Sequence, residues 1–215
     1  AYREKGKPSD EITILRNHGW NAFRVRVFVS PVHRAPDNTL AAAIPLAKKI
    51  KASGATFILD LHFSDTWADP GHQETPVAWR GMDIKALSQE WQSYARDTVK
   101  AFKDAGAMPD IVQVGNEITN GADWPLGRVR IPGKKIPAAV PAASQTSAAS
   151  NSTASDQSGA AAPYNDKLQW KNFTRLLKAG IRGVKQGAGD TPPRIAIHID
   201  KGGNWTDTEW FFDHL

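Results

Sequence analysis

The sequence predicts an α/β fold in which helices cover a parallel sheet, and three observations lead to this prediction. Short apolar strand patterns alternate with longer amphipathic helix patterns along the chain. Glycines stand at the ends of helix patterns, where they can take the left-handed conformation that stops a helix. Polar and aromatic side chains collect just after the strand patterns. Strands separated by helical crossovers pair in parallel, so the strands should form one sheet.

Four strands are predicted, over residues 21–29, 56–63, 110–115 and 194–200. In the first strand, alternation places Val25 and Val27 on one face. Arg24 and Arg26 therefore lie on the other face. Buried cations need carboxylate partners, which the mouth of a barrel can supply, whereas an edge strand would leave both arginines in solvent.

Four helices are predicted, over residues 10–18, 40–54, 84–106 and 167–186, and the first three end at or beside Gly19, Gly54 and Gly106. Pro45 is expected in the first turn of the second helix, where its missing N–H costs nothing. Trp91 and Trp170 lie at helical spacing and are predicted to be core residues. The fourth helix is predicted to turn the following apolar side chains inward: Leu168, Phe173, Leu176, Leu177, Ile181 and Val184.

Composition excludes several classes of protein. The 27 Lys and Arg residues exceed the 22 Asp and Glu residues, giving a charge of +5, but they are scattered among acidic residues. A nucleic-acid partner is not expected, because no basic stripe interleaved with aromatics is present. No apolar run approaches the length of about 18 residues that a membrane span needs. The absence of cysteine rules out disulfides and thiolate metal sites.

Residues 129–163 interrupt the pattern of strands and helices. This segment is rich in Ala, Ser and Pro and contains no aromatic residue, which predicts a disordered surface insertion. The helix pattern resumes directly afterwards, so the insertion lies within one strand-to-helix connection. We therefore expect one domain over residues 1–215.

Candidate functional residues follow the predicted strands at their carboxyl ends. In a parallel barrel this end builds the active site, so one shared pocket is expected. Trp67, Trp79, Trp124 and Trp205 are loop tryptophans whose flat faces could stack on sugar rings. The polar candidates are Asp60, His62, Asp65, Asp69, Asn116, Glu117, His198 and Asp200.

Glu117 directly follows an apolar run, so its carboxyl group should point into the mouth of the barrel beside the Asn116 amide. A partly buried carboxyl group there suits a proton donor, although an Asn-Glu pair could equally cap a helix. A metal hydrolase using His62, His72 and nearby carboxylates is the weaker alternative, because no tightly spaced histidine pair such as H-E-x-x-H is present.

Four motifs in one order resemble a known family. The segments are LDLHFSDTWADPG at residues 59–71, RVRVF at 24–28, VQVGNEI at 112–118 and IHID at 197–200. They are similar to the L-D-F-H-Y-S-D-T-W-A-D-P, R-x-R-x-W, V-Q-x-G-N-E-I and I-H-L-D patterns of glycoside hydrolase family 53, the arabinogalactan endo-β-1,4-galactanases. One departure is Asp123, which stands at an apolar position of the family's G-x-L-W-P-x-G stretch.

This resemblance implies a (β/α)8 TIM barrel that is incomplete here, with strands two to five and their helices. It implies retaining endo-hydrolysis of β-1,4-galactan, the pectin side chain, with Glu117 as acid/base and Asn116 binding substrate. The other implied substrate-binding residues are Arg26, Asp60, His62, Asp65, Trp67, Asp69, Trp124, His198 and Asp200. The family's nucleophile, a glutamate in a V-x-E-T-x-W setting, has no counterpart in residues 118–215, so this chain alone is expected to be inactive.

The same resemblance implies a monomer that needs no cofactor and binds a polysaccharide. A secreted or periplasmic location is expected from that substrate; the sequence starts at Ala1, so any signal peptide has been removed or was never included. Other functions remain open at this point: a non-catalytic carbohydrate-binding protein, an inactive fragment, or a barrel glycosidase acting on another β-linked polysaccharide.

Overall fold

The computed structural model describes residues 2–31, 36–130 and 166–215. Most of the predicted insertion, residues 131–163, lies outside them. In chain order the elements are β1 (Arg3–Glu4), β2 (Lys7–Pro8), α1 (Glu11–Asn17), β3 (Ala22–Val27), α2 (Leu40–Ala52), β4 (Thr56–Leu61), α3 (Ile84–Asp104), β5 (Ile111–Val114), β6 (Gly121–Ala122), β7 (Gly127–Arg128), α4 (Asp166–Ala188), β8 (Arg194–Ala196) and α5 (Trp205–Asp213). Short 3-10 turns cover Pro36–Asn38, Val77–Trp79 and Ile118–Asn120.

The main sheet has four parallel strands in the order β3-β4-β5-β8, which confirms the predicted parallel α/β fold. Val27 aligns with Leu61, and Leu61 with Val114, so these strands end together at one edge of the sheet. Among the described residues, β3 and β8 each pair on one side only. The fourth strand is shorter than predicted and ends at Ala196, so His198 and Asp200 follow it in a loop.

Local capping explains where the helices begin and end. The Asp10 side chain caps α1 by accepting hydrogen bonds from two backbone N–H groups. The Thr39 side chain caps α2 by accepting one such hydrogen bond. Gly54 and Gly106 have φ of 72°, as the predicted helix stops require. The placement of Pro45 was wrong, because α2 begins at Leu40 and Pro45 lies in its interior. Pro45 is exposed, so its missing N–H is lost on the solvent side.

The core lies between the sheet and its helices, with α3 and α4 in close contact. A Cβ atom at Gly183 would stand 2.2 Å from the Gln92 carbonyl oxygen, so the absence of a side chain there lets the two helices approach. Trp91 and Trp170 are buried as predicted. Leu168 is 51% exposed, contrary to the prediction, because it lies in the first turn of α4 away from its buried face. None of the helices in the described ranges is long and apolar enough to cross a membrane.

Candidate active site

The carboxyl ends of the parallel strands bring most of the predicted polar residues together. Arg24 and Arg26 come from β3, Asp60 from β4, and His62 follows directly after it. Asn116 and Glu117 follow β5, and His198 reaches them from the segment after β8. Segments that are distant in sequence therefore contribute to one polar cluster, as the strand-end pattern predicted.

Gln113 lies at the centre of this cluster, and sequence reasoning missed it. Its amide nitrogen donates to Asp60 Oδ1 at 2.9 Å and lies 3.2 Å from Asn116 Oδ1, while its oxygen accepts from Arg24 Nη1 at 2.9 Å. Arg24 also stands 3.7 Å from Asp60 Oδ2. The sequence signal that could have identified Gln113 is its position as the one polar residue of the apolar strand Ile111–Val114. The buried Asp60 carboxylate thus has the charged and hydrogen-bonding neighbours that burial requires.

The Asn116 amide is held in one orientation. Its Nδ2 donates to the Ala68 carbonyl oxygen at 2.7 Å, so its Oδ1 faces the donors of Arg24, Gln113 and His198. His198 Nδ1 lies 2.8 Å from this oxygen and 3.3 Å from the Glu117 backbone nitrogen, so a protonated Nδ1 donates to Asn116 and an unprotonated Nδ1 accepts from the Glu117 N–H. Within the described part of the chain, the second Asn116 amide hydrogen has no partner, so it is available to a bound group.

Glu117 follows β5 in a left-handed backbone conformation, with φ 49° and ψ 45°. It precedes the 3-10 turn Ile118–Asn120, but its side chain makes no capping hydrogen bond there, so the helix-capping alternative was wrong. Gln73, another residue that sequence reasoning missed, donates to the Asn116 carbonyl oxygen at 2.8 Å. A left-handed non-glycine residue costs free energy, and such conformations cluster at functional sites.

An aromatic cluster borders the polar residues. The His62 ring lies between Phe28, at 4.8 Å between centroids, and the edge of Trp67, at 5.9 Å. The Arg26 guanidinium stands 4.2 Å over the Trp67 ring. Desolvation lowers the pKa of Arg26, and the nearby Asp60 opposes this change. Trp67 is 52% exposed, so much of its surface is available to a ligand, as the sequence suggested.

Three predicted carboxylates organise loops. The two oxygens of Asp65 accept the backbone N–H groups of Ser30 and Val77, each at 2.8 Å. Asp69 accepts from Gly71 at 2.7 Å and pairs with His72. Asp200 is partly buried, which opposes ionisation, but hydrogen bonds from Lys201 and Thr119 hold its pKa below the usual value. Their carboxylate oxygens are therefore committed largely to the protein.

The remaining loop tryptophans have different surroundings, and only the buried Trp79 departs from the prediction. Trp79 is only 5% exposed and packs in the core, because Val77–Trp79 forms a turn that places its ring against Tyr94. Trp124 lines a cavity of ≈ 680 Å³ together with Trp79 and Leu126, and this cavity is not lined by Glu117. Trp205 is 74% exposed at the start of α5. Trp67 is therefore the loop tryptophan beside the polar cluster.

Two buried polar atoms at the site make no hydrogen bond within the described residues. Among the described residues, neither Asp60 Oδ2 nor His62 Nε2 makes a hydrogen bond, although both side chains are fully buried. Asp60 Oδ2 has the Arg24 guanidinium 3.7 Å away as an ion-pair partner, which offsets part of the cost of burying this carboxylate. Within the same described ranges, no group of three or more histidines and carboxylates could hold a metal ion.

A half-buried glutamate, a fixed asparagine amide and an exposed tryptophan at the carboxyl end of a parallel sheet are typical of glycoside hydrolases. Comparison with known proteins defines the family. The sequence model of Glycosyl hydrolase family 53 matches residues 1–215, so the chain belongs to that family.

The relatives and solved structures agree with this assignment. An arabinogalactan endo-β-1,4-galactanase of Humicola insolens is 33% identical over 202 residues, which are 94% of this chain and 48% of that protein. One from Aspergillus niger is 34% identical over 93% of this chain and 45% of its own length. A fungal β-1,4-galactanase structure matches with a TM-score of 0.75 and 32% identity, covering 97% of this chain and 51% of the other. The Ignisphaera aggregans GH53 catalytic domain also has a TM-score of 0.75, at 28% identity, over all of this chain and 50% of its own. The chain thus spans about half the length of the relatives it matches.

Proposed function

We propose that the protein to which this chain belongs is a retaining endo-β-1,4-galactanase and that Glu117 is its acid/base. The observation that carries the proposal is the position of Glu117 after β5, beside an Asn116 amide fixed by Ala68 and His198. The family assignment supports the reaction type, and the matched relatives named galactanases support the substrate.

In a retaining mechanism Glu117 gives its proton to the glycosidic oxygen while a second carboxylate attacks the anomeric carbon and displaces the leaving sugar. A water molecule then attacks the glycosyl-enzyme, with Glu117 taking a proton from it, and the second carboxylate is released. Residues 118–215 contain no counterpart of the family's V-x-E-T-x-W setting. We therefore assign the second carboxylate to a part of the protein outside these 215 residues, and expect no activity from this chain alone.

The neighbouring side chains have separate roles in this proposal. The second hydrogen of the Asn116 amide binds a sugar hydroxyl, and the buried Asp60 and His62 act on the sugar through the side chains they contact, Gln113 and Trp67. Trp67, oriented by Arg26, supplies a flat apolar surface for a sugar ring. His198 contacts Asn116, while Asp65, Asp69 and Asp200 fix the loops and Trp124 lines a neighbouring cavity together with Gln73.

The architecture that fits this function is a (β/α)8 barrel of which residues 1–215 form strands two to five, with the 129–163 insertion inside the same domain. In the described part of the chain, the outer strands of the four-stranded parallel sheet, β3 and β8, each pair with a neighbour on one side only. This supports the arrangement, because further strands could pair with both edges. Galactan from pectin would be the substrate of a monomeric enzyme that is secreted or periplasmic, with no cofactor, nucleic acid or membrane involved.

The test is hydrolysis of β-1,4-galactan by the full-length protein and by its Glu117→Gln variant. Loss of the proton donor should lower kcat by about 10²–10⁴-fold, because the leaving sugar needs protonation. Glu209→Gln, at an exposed position of α5, is the matched control and should leave kcat unchanged. Galactan that binds without being cleaved would indicate a carbohydrate-binding protein instead, and equal activity of both variants would exclude Glu117 as the acid.

A further inference from the structure

Asp123 is a buried carboxyl group in the turn that joins β6 to β7. Its side chain is 2% exposed, and its backbone is left-handed, with φ 48°. The turn is closed by a hydrogen bond from the Gly127 N–H to the Asp123 carbonyl oxygen at 3.2 Å. Gly121 and Gly127 allow the two strands to approach, since a Cβ atom at Gly121 would stand 1.9 Å from the Gly127 oxygen. Asp123 is therefore enclosed by a tight hairpin, residues 121–128.

The surroundings of this carboxyl group are poor in compensating donors. Oδ2 accepts a hydrogen bond from the Trp91 indole of α3, whereas Oδ1 has no hydrogen-bond partner among the described residues. Trp91 is itself rigid, because its ring stacks on Phe63 at 3.7 Å between centroids. A carboxyl group whose single hydrogen-bond donor is uncharged is costly to ionise in such a buried site.

One neighbouring charge, Asp65, also favours the neutral form of Asp123. Asp65, after β4, faces it as a like charge. On the hairpin itself, the Arg128 guanidinium stands 4.2 Å over the Trp124 ring, and α4 contributes the uncharged Asn172 to the Leu126 carbonyl oxygen. Burial, offset in part by the Trp91 hydrogen bond and reinforced by Asp65, raises the pKa of Asp123 to about 8.

The hairpin connects Asp123 to the segment that carries Glu117. The Trp124 N–H donates to the Gln73 carbonyl oxygen at 2.9 Å, and the Trp124 indole donates to the Asn120 carbonyl oxygen at 2.9 Å. The Gln73 side chain in turn donates to the Asn116 carbonyl oxygen. A change in the position of the hairpin would therefore reach the backbone beside Glu117.

We propose that Asp123 is a positioning residue: its neutral carboxyl group keeps the 121–128 hairpin packed against α3 and so fixes Trp124, and its ionisation opens the hairpin to water. The consequence for sugar binding rests on the proposed function, but the response of the hairpin to pH does not. Opening hydrates the carboxyl group and returns its pKa to the ordinary range near 4. The open population consequently rises about tenfold per pH unit between pH 4 and pH 8 and levels off above pH 8.

Hydrogen exchange of the hairpin amides tests the proposal on the chain without any sugar. Corrected for intrinsic exchange rates, protection of the Trp124, Gly127 and Val129 amides should fall about 100-fold from pH 5 to pH 7 in the unmodified chain. Asp123→Asn keeps the shape and the acceptor for Trp91 but cannot ionise, so its protection should not change with pH. Asp190→Asn, at an exposed turn, should behave like the unmodified chain.

Two results would overturn the proposal. One is hairpin protection in the unmodified chain that is the same at pH 5 and pH 7. The other is the same pH dependence in Asp123→Asn as in the unmodified chain. If the Asn variant does not fold, Asp123→Leu and the titration of the Asp123 carboxyl carbon by ¹³C NMR replace it, and a midpoint near pH 4 would contradict the proposal. If the hairpin responds to pH as expected while the full-length protein does not hydrolyse galactan, the proposed function alone fails.

Discussion

Replacing Gln113 with methionine tests whether the polar cluster depends on this residue. The substitution keeps the length of the side chain but removes the amide nitrogen that donates to Asp60, to the Gly115 carbonyl oxygen and to Asn116, and it removes the acceptor for Arg24. A hydrogen bond to a buried carboxylate contributes about 2 kcal/mol and one to an amide about 1 kcal/mol. The hydrogen bond from Arg24 contributes little to this change, because the Arg24 side chain is 39% exposed and water can replace Gln113 as its partner. We expect the free energy of unfolding to fall by about 3 kcal/mol.

Urea unfolding followed by tryptophan fluorescence measures this change, with Gln89→Met on the exposed face of α3 as the matched control. The control should lie within about 0.5 kcal/mol of the unmodified chain. Gln113→Glu should cost more than methionine at pH 7, because it places a second carboxylate beside Asp60, and the excess should shrink on acidification. A loss below about 1 kcal/mol for Gln113→Met would refute the reasoning.

Three further predictions concern other parts of the fold. For Asp123, the unfolded state binds fewer protons than the folded state between pH 4 and pH 8, so the free energy of unfolding should fall by about 2.7 kcal/mol from pH 5 to pH 7. This free energy should stay constant in Asp123→Asn, and urea unfolding at each pH measures both proteins. Gly183→Ala should destabilise by about 2 kcal/mol despite the better helix propensity of alanine, since its Cβ would stand 2.2 Å from the Gln92 carbonyl oxygen; thermal unfolding checks this. Asp10→Ala removes the cap of α1, so the first-turn amides of that helix should exchange faster with solvent, as hydrogen exchange measures.

Much of the fold could be predicted because its signals are local. Apolar runs of strand length and the glycines at 54 and 106 defined the order of elements, and these features act within a few residues. Pro45 shows what local patterns cannot predict. A proline on the exposed face inside a helix and a proline in its first turn leave the same apolar periodicity in the sequence. Trp79 and Leu168 were misplaced because burial depends on which element packs against them, and that is a long-range property.

The candidate site was predicted in its location but only partly in its contacts. Strand ends meet at one edge of a parallel sheet, so Asp60, Asn116 and Glu117 could be grouped from the sequence. Gln113 and Gln73 could not, because an amide side chain becomes important through partners 40 or more residues away that only the folded chain brings near. The same holds for Asp123, which contacts Trp91 of α3, 32 residues earlier in the chain.

The central claim is that Glu117 is the acid/base of a retaining glycosidase, and azide rescue tests it most directly. Full-length Glu117→Ala would be given an aryl β-galactobioside whose leaving group needs no protonation, with and without sodium azide. Azide attacks the anomeric carbon of the glycosyl-enzyme from the side that Glu117 vacates, forming a carbon–nitrogen bond as the enzyme carboxylate leaves. We predict a faster turnover with azide and a β-galactosyl azide product; an α-configured azide, or no azide product at all, would contradict the account.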